Sequence, residues 1–253
     1  MLSAHLIDVA RVLLGPCLAA GIMSTSPPPR EVRSAKVQLG RQIDRIDVGS
    51  FTLFIHDQRA GREQFSMQRV LAADGATLEL RAESAVGDRR SAVRLEADSA
   101  GSPVRYSVEE RTGAMVTLRL GGQRVRGRFT TLARSTSGEA AREYLLAPGA
   151  VVLEDNGVLQ YALLVLNRLH VAGDSTVIPV LTPIANRQGT VQLSLITISD
   201  TVVIAGSRRQ AKRWRAVTDR GESRFIWADA EGRLLRVQIP SRGFNALRDD
   251  VPR

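Results

Sequence analysis

The chain has 253 residues, of which 43% are hydrophobic, and a formal net charge of +9 at pH 7. This length and apolar share are typical of a globular protein that needs no metal for stability, and the single cysteine, Cys17, excludes an internal disulfide. Of the 35 basic residues only Lys36 and Lys212 are lysines, and the arginines are spread along the whole chain. Because only 4% of the residues are aromatic, the composition argues against a nucleic-acid partner.

The N-terminal region is typical of an exported protein. Residues 12–23 form an apolar run that follows Arg11 and ends in small side chains, as in a secretory signal peptide. An amphipathic helix and a lipid attachment site at Cys17 are the alternatives. The run is shorter than the roughly 20 residues that cross a bilayer, so we expect no transmembrane span in the mature protein. The pattern predicts a periplasmic or otherwise exported protein, with a leader and Pro-rich linker in residues 1–35 and one β domain in residues 36–250.

Apolar and polar residues alternate from Val48 to Ile239, and this period of two predicts β-strands with one buried face. In the first half, the predicted strands are residues 49–56, 63–71, 76–85, 91–97 and 104–110. Glycine-containing pairs are predicted to form the turns between them, at Ala60-Gly61, Asp74-Gly75 and Gly87-Asp88.

The strands after residue 103 predict a row of arginines on the outward face. A turn ending at Gly113 pairs Tyr106 with Leu118, and a turn at Gly121-Gly122 pairs Leu118 with Val125. This register places arginines opposite each other, and a bound anion would relieve their repulsion. The alternative is a solvated face whose arginines separate or pair with glutamates, namely Glu109 and Glu139. The predicted anion-binding residues are Arg105, Arg119, Arg124 and Arg126.

One helix is predicted in the body of the chain, over residues 158–169, with Asn156 as its N-cap. It is apolar nearly all round, which favours a place inside a curved sheet. The predicted strands that follow are residues 176–181, 190–199, 201–205, 211–218, 223–228 and 233–239, and residues 242–253 are predicted to fray. The fold class is therefore mainly β, an antiparallel curved sheet (a spiral β-roll or open barrel) that wraps one hydrophobic helix.

Motifs for catalysis and metal binding are absent from the sequence. His5, His56 and His170 are not at metal-ligand spacing from one another or from Cys17. The chain has no nucleophile elbow, phosphate-binding loop or dinucleotide fingerprint. We therefore predict no catalytic residue, no metal, no cofactor and no enzymatic activity.

Two segments carry a resemblance to a known group of proteins. The run GSFTLFIHDQRAGREQF at residues 49–65 and the run FIWADAEGRLLRVQIP at residues 225–240 resemble bacterial cell-envelope spiral β-roll proteins of unknown function. Those proteins are distantly similar to the half-barrel carrier of outer-membrane lipoproteins. The second run also resembles the end of β-domains that precede an α/β-hydrolase. The resemblance implies an exported β-roll and a lipid-like ligand, and it transfers no catalytic residue.

Three functions remain open from the sequence. The first is a non-enzymatic cell-envelope protein that holds a lipid or other amphiphile in the concave face of its sheet, lined by Phe54, Leu163, Leu166 and Trp227. The second is a structural or accessory module that docks on an envelope protein partner through its arginines or a sheet edge. The third is a hydrolase-associated β domain or an unrecognised enzyme. An apolar cavity above about 300 Å³ favours the first, and a filled interior favours the second.

Overall fold

The computed structural model describes residues 42–72, 75–155, 157–166 and 171–252. The predicted leader and linker, the start of the predicted β domain at residue 36, Asn156 and His170 therefore lie outside the described residues. So do residues 73–74, although Ala72 pairs with Gly75 across the hairpin that was predicted there.

Within the described residues, fifteen strands form one sheet. The strands of the first half are β1 (Gln42–Ile55), β2 (Gln58–Ala72), β3 (Gly75–Val86), β4 (Arg89–Asp98), β5 (Pro103–Thr112), β6 (Met115–Val125), β7 (Arg128–Ser135) and β8 (Gly138–Leu145). Those of the second half are β9 (Val151–Val152), β10 (Ser175–Thr182), β11 (Arg187–Ile204), β12 (Ser207–Thr218), β13 (Ser223–Ala228), β14 (Leu234–Ile239) and β15 (Phe244–Arg248). A 3₁₀ turn (Leu159–Tyr161) runs into the short helix α1 (Ala162–Val165), and a second 3₁₀ turn spans Pro240–Arg242.

The strand order shows two meanders that meet in the middle of the sheet. The order is β8-β7-β6-β5-β4-β3-β2-β1-β15-β14-β13-β12-β11-β10-β9. Neighbouring strands are antiparallel, except that β9 pairs with β10 in parallel. The prediction of a mainly antiparallel β fold is therefore confirmed.

The chain path requires this sheet to curl. Laid flat, fifteen strands about 4.8 Å apart would separate β8 from β9 by roughly 65 Å. Only residues 146–150 connect these two edge strands, and a connection of that length reaches roughly 20 Å. The hydroxyl of Tyr144 in β8 donates to Asn186 Oδ1 at 2.8 Å, and the side-chain amide of Gln188 donates to the carbonyl oxygen of Leu145 at 2.9 Å. The sheet is thus an open barrel, bridged along its seam by side chains rather than by a strand ladder.

Successive residues of a strand face opposite sides, and here both sides carry a hydrophobic core. In β13 and β14, Ile226 and Leu234 belong to the larger core, while their neighbours Trp227 and Leu235 belong to a smaller one. The helical segment 159–165 lies in the larger core and contacts both β3 and β14. We call the side of the sheet that faces this segment the inner face and the other side the outer face.

The predicted helix is shorter in the structure than in the sequence prediction. It has one 3₁₀ turn and the four residues of α1, after which Leu166 is extended, with φ −62° and ψ 118°. An apolar run has the same appearance whether it forms a long buried helix or a buried turn, because no polar face sets its period. The prediction that a hydrophobic helical segment lies inside the sheet is confirmed; its predicted length is wrong, since the helix has already ended at Leu166.

Two predicted turns are wrong because their glycines lie inside strands. Gly121 and Gly122 lie inside β6, and the turn that follows is Arg126-Gly127, with Arg126 at φ +51°. A Cβ on Gly122 would lie 2.6 Å from the ring of Phe129, so this glycine makes room for a core aromatic side chain. Ala60-Gly61 likewise lies inside β2, and the chain reverses at His56-Asp57, where both φ angles are positive.

The predicted frayed tail is also wrong. Residues 244–248 form β15, which pairs with β1 on one side and β14 on the other. Arg248 is fully buried, and its guanidinium binds both carboxylate oxygens of Asp47 at 2.7 Å. An arginine at an inward position makes a central strand look polar in the sequence, because charged side chains are rarely buried unless they are paired.

Candidate functional site

The largest described concavity lies on the outer face of the sheet, across β3 to β7. Two cavities of about 620 and 540 Å³ overlap there and share four lining residues. These four residues are Arg94, Ser107, Gly121 and Leu132. We call this concavity the arginine trough.

Cross-strand pairing explains how the sequence builds the arginine trough. The four shared residues are directly opposite one another on β4, β5, β6 and β7, so they form one row across the strands. The flanking rows lie two residues away on each strand, on the same face. One flanking row is Glu96, Arg105, Gln123 and Thr130, and the other is Ala92, Glu109, Arg119 and Arg134. Serine and glycine therefore form a low floor between walls of longer side chains.

Gly121 is the most informative residue of this floor. Its backbone needs no positive φ, and an added Cβ would find no atom within 4 Å. A glycine inside a strand weakens it by roughly 0.5–1 kcal/mol relative to alanine, and such glycines often mark the close approach of a ligand or another backbone. In contrast to Gly122, Gly121 fills no packing role among the described residues. It leaves the middle of the trough open.

The charges along the trough are mostly paired. Glu109 accepts hydrogen bonds from Arg119 at 2.8 Å and from Arg111 at 2.6 Å, and these bonds hold its pKa below the usual range. The Nη1 atom of Arg105 lies 3.7 Å from the Oε2 atom of Glu96. Arg94 differs, because it has neither an ion pair nor a side-chain hydrogen bond within the described part of the chain, and it stands directly opposite Arg81. An anion beside Arg94 would relieve this like-charge contact.

The structure brings together two of the four predicted anion-binding arginines. Arg105 and Arg119 both line the arginine trough. Arg124 lies five residues beyond Arg119 in the same strand, on the opposite face, and pairs with Asp98 at 2.9 Å. Arg126 is in the β6–β7 turn. The predicted register was wrong, since Arg119 is opposite Glu109 and Arg134 rather than Arg124. Anion binding itself stays a prediction.

Two of the four predicted ligand-lining residues also meet at a cavity. Leu163 and Leu166 line a cleft of about 350 Å³ together with Leu78 and Arg69. The Arg69 side chain is partly exposed, and its Nη1 is 4.0 Å from Asp44. We call this cavity the leucine cleft. It combines an apolar wall with a guanidinium, which is the chemistry that an anionic amphiphile requires.

The other two predicted lining residues lie elsewhere. Trp227 packs in the outer-face core, where its indole N–H donates to Asp200 at 2.9 Å and Arg236 lies 4.9 Å from the ring centre. Phe54 is half-buried in β1 and pairs with Asn245 of β15. Neither residue shares the leucine cleft. Core side chains occupy the inner face, and the void between the sheet and the helical segment at Leu159 is only about 10 Å³.

Two buried carboxylic acids accept backbone N–H groups, and one of them, Glu63, anchors the start of the helical segment. Glu63 of β2 accepts the backbone N–H groups of Val158 and Leu159, at 2.9 and 2.8 Å. Burial raises its pKa to about 7, although these hydrogen bonds act in the opposite direction. Glu154 accepts the backbone N–H of Ile184, and burial raises its pKa to about 8. Both groups are within the folded interior, so their arrangement suits a structural role.

Two searches of the described residues gave negative results. No group of three or more histidine, cysteine, aspartate or glutamate side chains there is placed to hold a metal ion. Among the helices of that same part of the chain, none has the length and apolarity to cross a membrane.

Comparison with known proteins gives one structural similarity. No family model matches the chain, and no curated protein matches it. The similarity to the half-barrel lipoprotein carrier therefore stays a prediction. Among solved structures, the chain is similar to the β-barrel-like protein of domain of unknown function DUF1849 from Brucella abortus, with a TM-score of 0.48 and 10% identity, over 83% of this chain and 98% of that one.

Proposed function

We propose that the chain is a non-enzymatic binding module that docks an anionic partner in the arginine trough. The observation that supports this proposal is that an open floor at Gly121 lies beside the Arg94 guanidinium, which has no ion pair or hydrogen bond with any residue that the structure describes. The signal-like pattern of residues 12–23 extends the proposal to the periplasm or another exported compartment.

The packing of the inner face favours docking over enclosure of a ligand. A carrier that encloses its ligand needs a cavity of at least about 300 Å³. The leucine cleft, at about 350 Å³, only just exceeds this size, and the rest of the inner face holds a continuous cluster of buried side chains that includes Leu164. The larger cavities described above open on the outer face, where a partner can reach them without any rearrangement of the core.

A titration with glutarate, a small dicarboxylate, tests this proposal. We expect NMR shifts to concentrate at Arg94, Arg105 and Ser107, and we expect Arg94→Gln to weaken glutarate binding about fivefold by removing a charge-assisted hydrogen bond. The matched control is Arg209→Gln, which removes an exposed arginine from β12 and changes the net charge equally. Shifts spread evenly over the arginines, or equal effects of the two variants, would refute docking at the trough.

The leucine cleft supports a second candidate function, the binding of an anionic amphiphile. The observation that supports it is that Leu163, Leu166 and Arg69 line the same cavity of about 350 Å³. We expect dodecanoate, below its micelle concentration, to bind more tightly than dodecanol in calorimetry. Arg69→Gln should remove that difference, because it leaves the apolar wall intact and deletes the charge partner. Equal binding of the two probes to the unmodified protein would exclude a headgroup contact at Arg69.

A further inference from the structure

We infer that the partner in the arginine trough is an extended polypeptide segment with acidic side chains, an inference that rests on the proposed function. It names the class of ligand, which the proposal above leaves open. Three features of the trough favour a peptide over a lipid surface, a nucleic acid or a free inorganic anion.

The first feature is the alternation of charge in the walls. Glu83, Glu96 and Glu109 line the trough among its arginines. A uniformly anionic surface, such as a membrane or a nucleic-acid backbone, would bring its charges against these carboxylates as well as the guanidiniums, and like-charge contacts weaken association. A polypeptide carries separate charges with neutral residues between them. It can place a carboxylate at Arg94 and an uncharged side chain beside each glutamate.

The second feature is the shape of the floor. The row through Ser107 and Gly121 crosses the strands, with one residue per strand at a spacing of about 4.8 Å. The wall rows begin two residues to either side, roughly 7 Å away along each strand. The wall rows are thus roughly 14 Å apart, arginine and glutamate side chains occupy part of that space, and an α-helix with its side chains is already 10–12 Å across. An extended backbone fits, and the missing side chain at Gly121 lets it approach the sheet closely.

The third feature is the mixture of groups that the trough offers. Ser107, Gln123 and Thr130 provide hydroxyl and amide groups that can bond the main-chain amides of a peptide. Leu132 is 39% exposed at the β7 end of the floor and can receive an apolar side chain. A free phosphate or carboxylate would leave these neutral groups unused. An acidic peptide with one apolar residue would use all of them.

The experiment compares three probes on the folded chain and on Gly121→Val. The probes are glutarate, an acetylated and amidated Ser-Glu-Ser-Glu-Leu-Ser peptide, and phosphatidylglycerol vesicles. We expect the peptide to bind about tenfold more tightly than glutarate, because it adds main-chain and leucine contacts. Valine at position 121 should weaken peptide binding about tenfold and change glutarate binding less than about twofold, since it fills the floor and leaves every charge in place.

The outcomes separate this inference from the proposed function. If glutarate binds at Arg94 but the peptide binds no more tightly, the peptide inference is overturned and the docking proposal stands. Vesicle binding that Gly121→Val abolishes would replace the peptide by a lipid surface. If neither glutarate nor the peptide binds, both proposals fall. Thermal unfolding checks the fold of Gly121→Val. Ser107→Val, on the neighbouring strand of the same floor, also adds a bulky side chain there and should weaken peptide binding independently.

Discussion

Replacement of Asp47 by alanine is expected to lower the free energy of unfolding by about 3–5 kcal/mol, because it removes the main counter-charge of the buried Arg248 guanidinium. Arg248 is fully buried, and both oxygens of Asp47 accept its hydrogen bonds at 2.7 Å. In Asp47→Ala the guanidinium retains Asp250 and the carbonyl oxygen of Val48 as acceptors, but its main counter-charge is lost. Urea unfolding at neutral pH measures the change.

Two further variants make this prediction specific. Asp44→Ala is the matched control, since Asp44 is on the same strand but is exposed and forms a long ion pair of 4.0 Å with Arg69. We expect Asp44→Ala to lower the free energy of unfolding by less than about 1 kcal/mol. The double variant Asp47→Leu with Arg248→Met should recover much of the loss, because well-packed apolar side chains often replace a buried ion pair without penalty. A cost for Asp47→Ala no larger than that for Asp44→Ala would contradict the prediction.

The protein is also expected to become less stable as the pH rises from about 4.5 to about 8. In the folded chain the pKa of Glu63 is raised to about 7 and that of Glu154 to about 8, from an ordinary value of 4.5. Between these values the folded state binds more protons than the unfolded state, so the free energy of unfolding falls as the pH increases. At ~1.4 kcal/mol per pKa unit, Glu63 alone accounts for ~3 kcal/mol.

Below pH 4.5 a different group reverses this trend. Burial pushes the pKa of Glu222 up, but hydrogen bonds from Arg242 and Arg224 outweigh it and bring the pKa to about 2. This contribution is lost as the pH falls through that range, so stability should be greatest near pH 4.5–5. Urea unfolding at pH 4.5, 6, 7 and 8.5 measures the profile. Glu63→Gln should roughly halve the slope between pH 4.5 and 7, because Glu154 still titrates over that range, and a variant profile as steep as that of the wild type would contradict the role of Glu63.

Much of the fold could be predicted because alternation of apolar and polar residues reports directly on strands. The predicted strand at residues 223–228 coincides with β13. The errors arise where one residue type has two uses. Glycine marks turns, but Gly122 makes room for Phe129 inside a strand. Arginine marks surfaces, but Arg248 lies in the interior. Such uses depend on neighbours distant in sequence, which local patterns do not contain.

The candidate site was partly predictable for the same reason. Arg105 and Arg119 were selected from a register that is wrong, but the alternation along β5 and β6 placed both correctly on the outward face. Leu163 and Leu166 were selected because they lie on the apolar helical segment. Arg94 and Gly121 were missed, since their juxtaposition follows from the register of β4, β5 and β6. Treating Gly121 as a strand residue would not have been enough, because the pairing of Gly121 with Ser107 depends on a register shift between Glu110 and Arg111.

The strand order also has a consequence for how the chain folds. Each meander, β1 to β8 and β9 to β15, consists largely of pairings between successive strands, and these form early because little chain must be ordered to close them. The ladder of β1 with β15 instead joins residues nearly 200 positions apart, such as Phe51 and Arg248. Closure of this central ladder carries the greatest loop entropy in the sheet. We therefore expect the joint at the middle of the sheet to assemble last and to limit the folding rate of the chain.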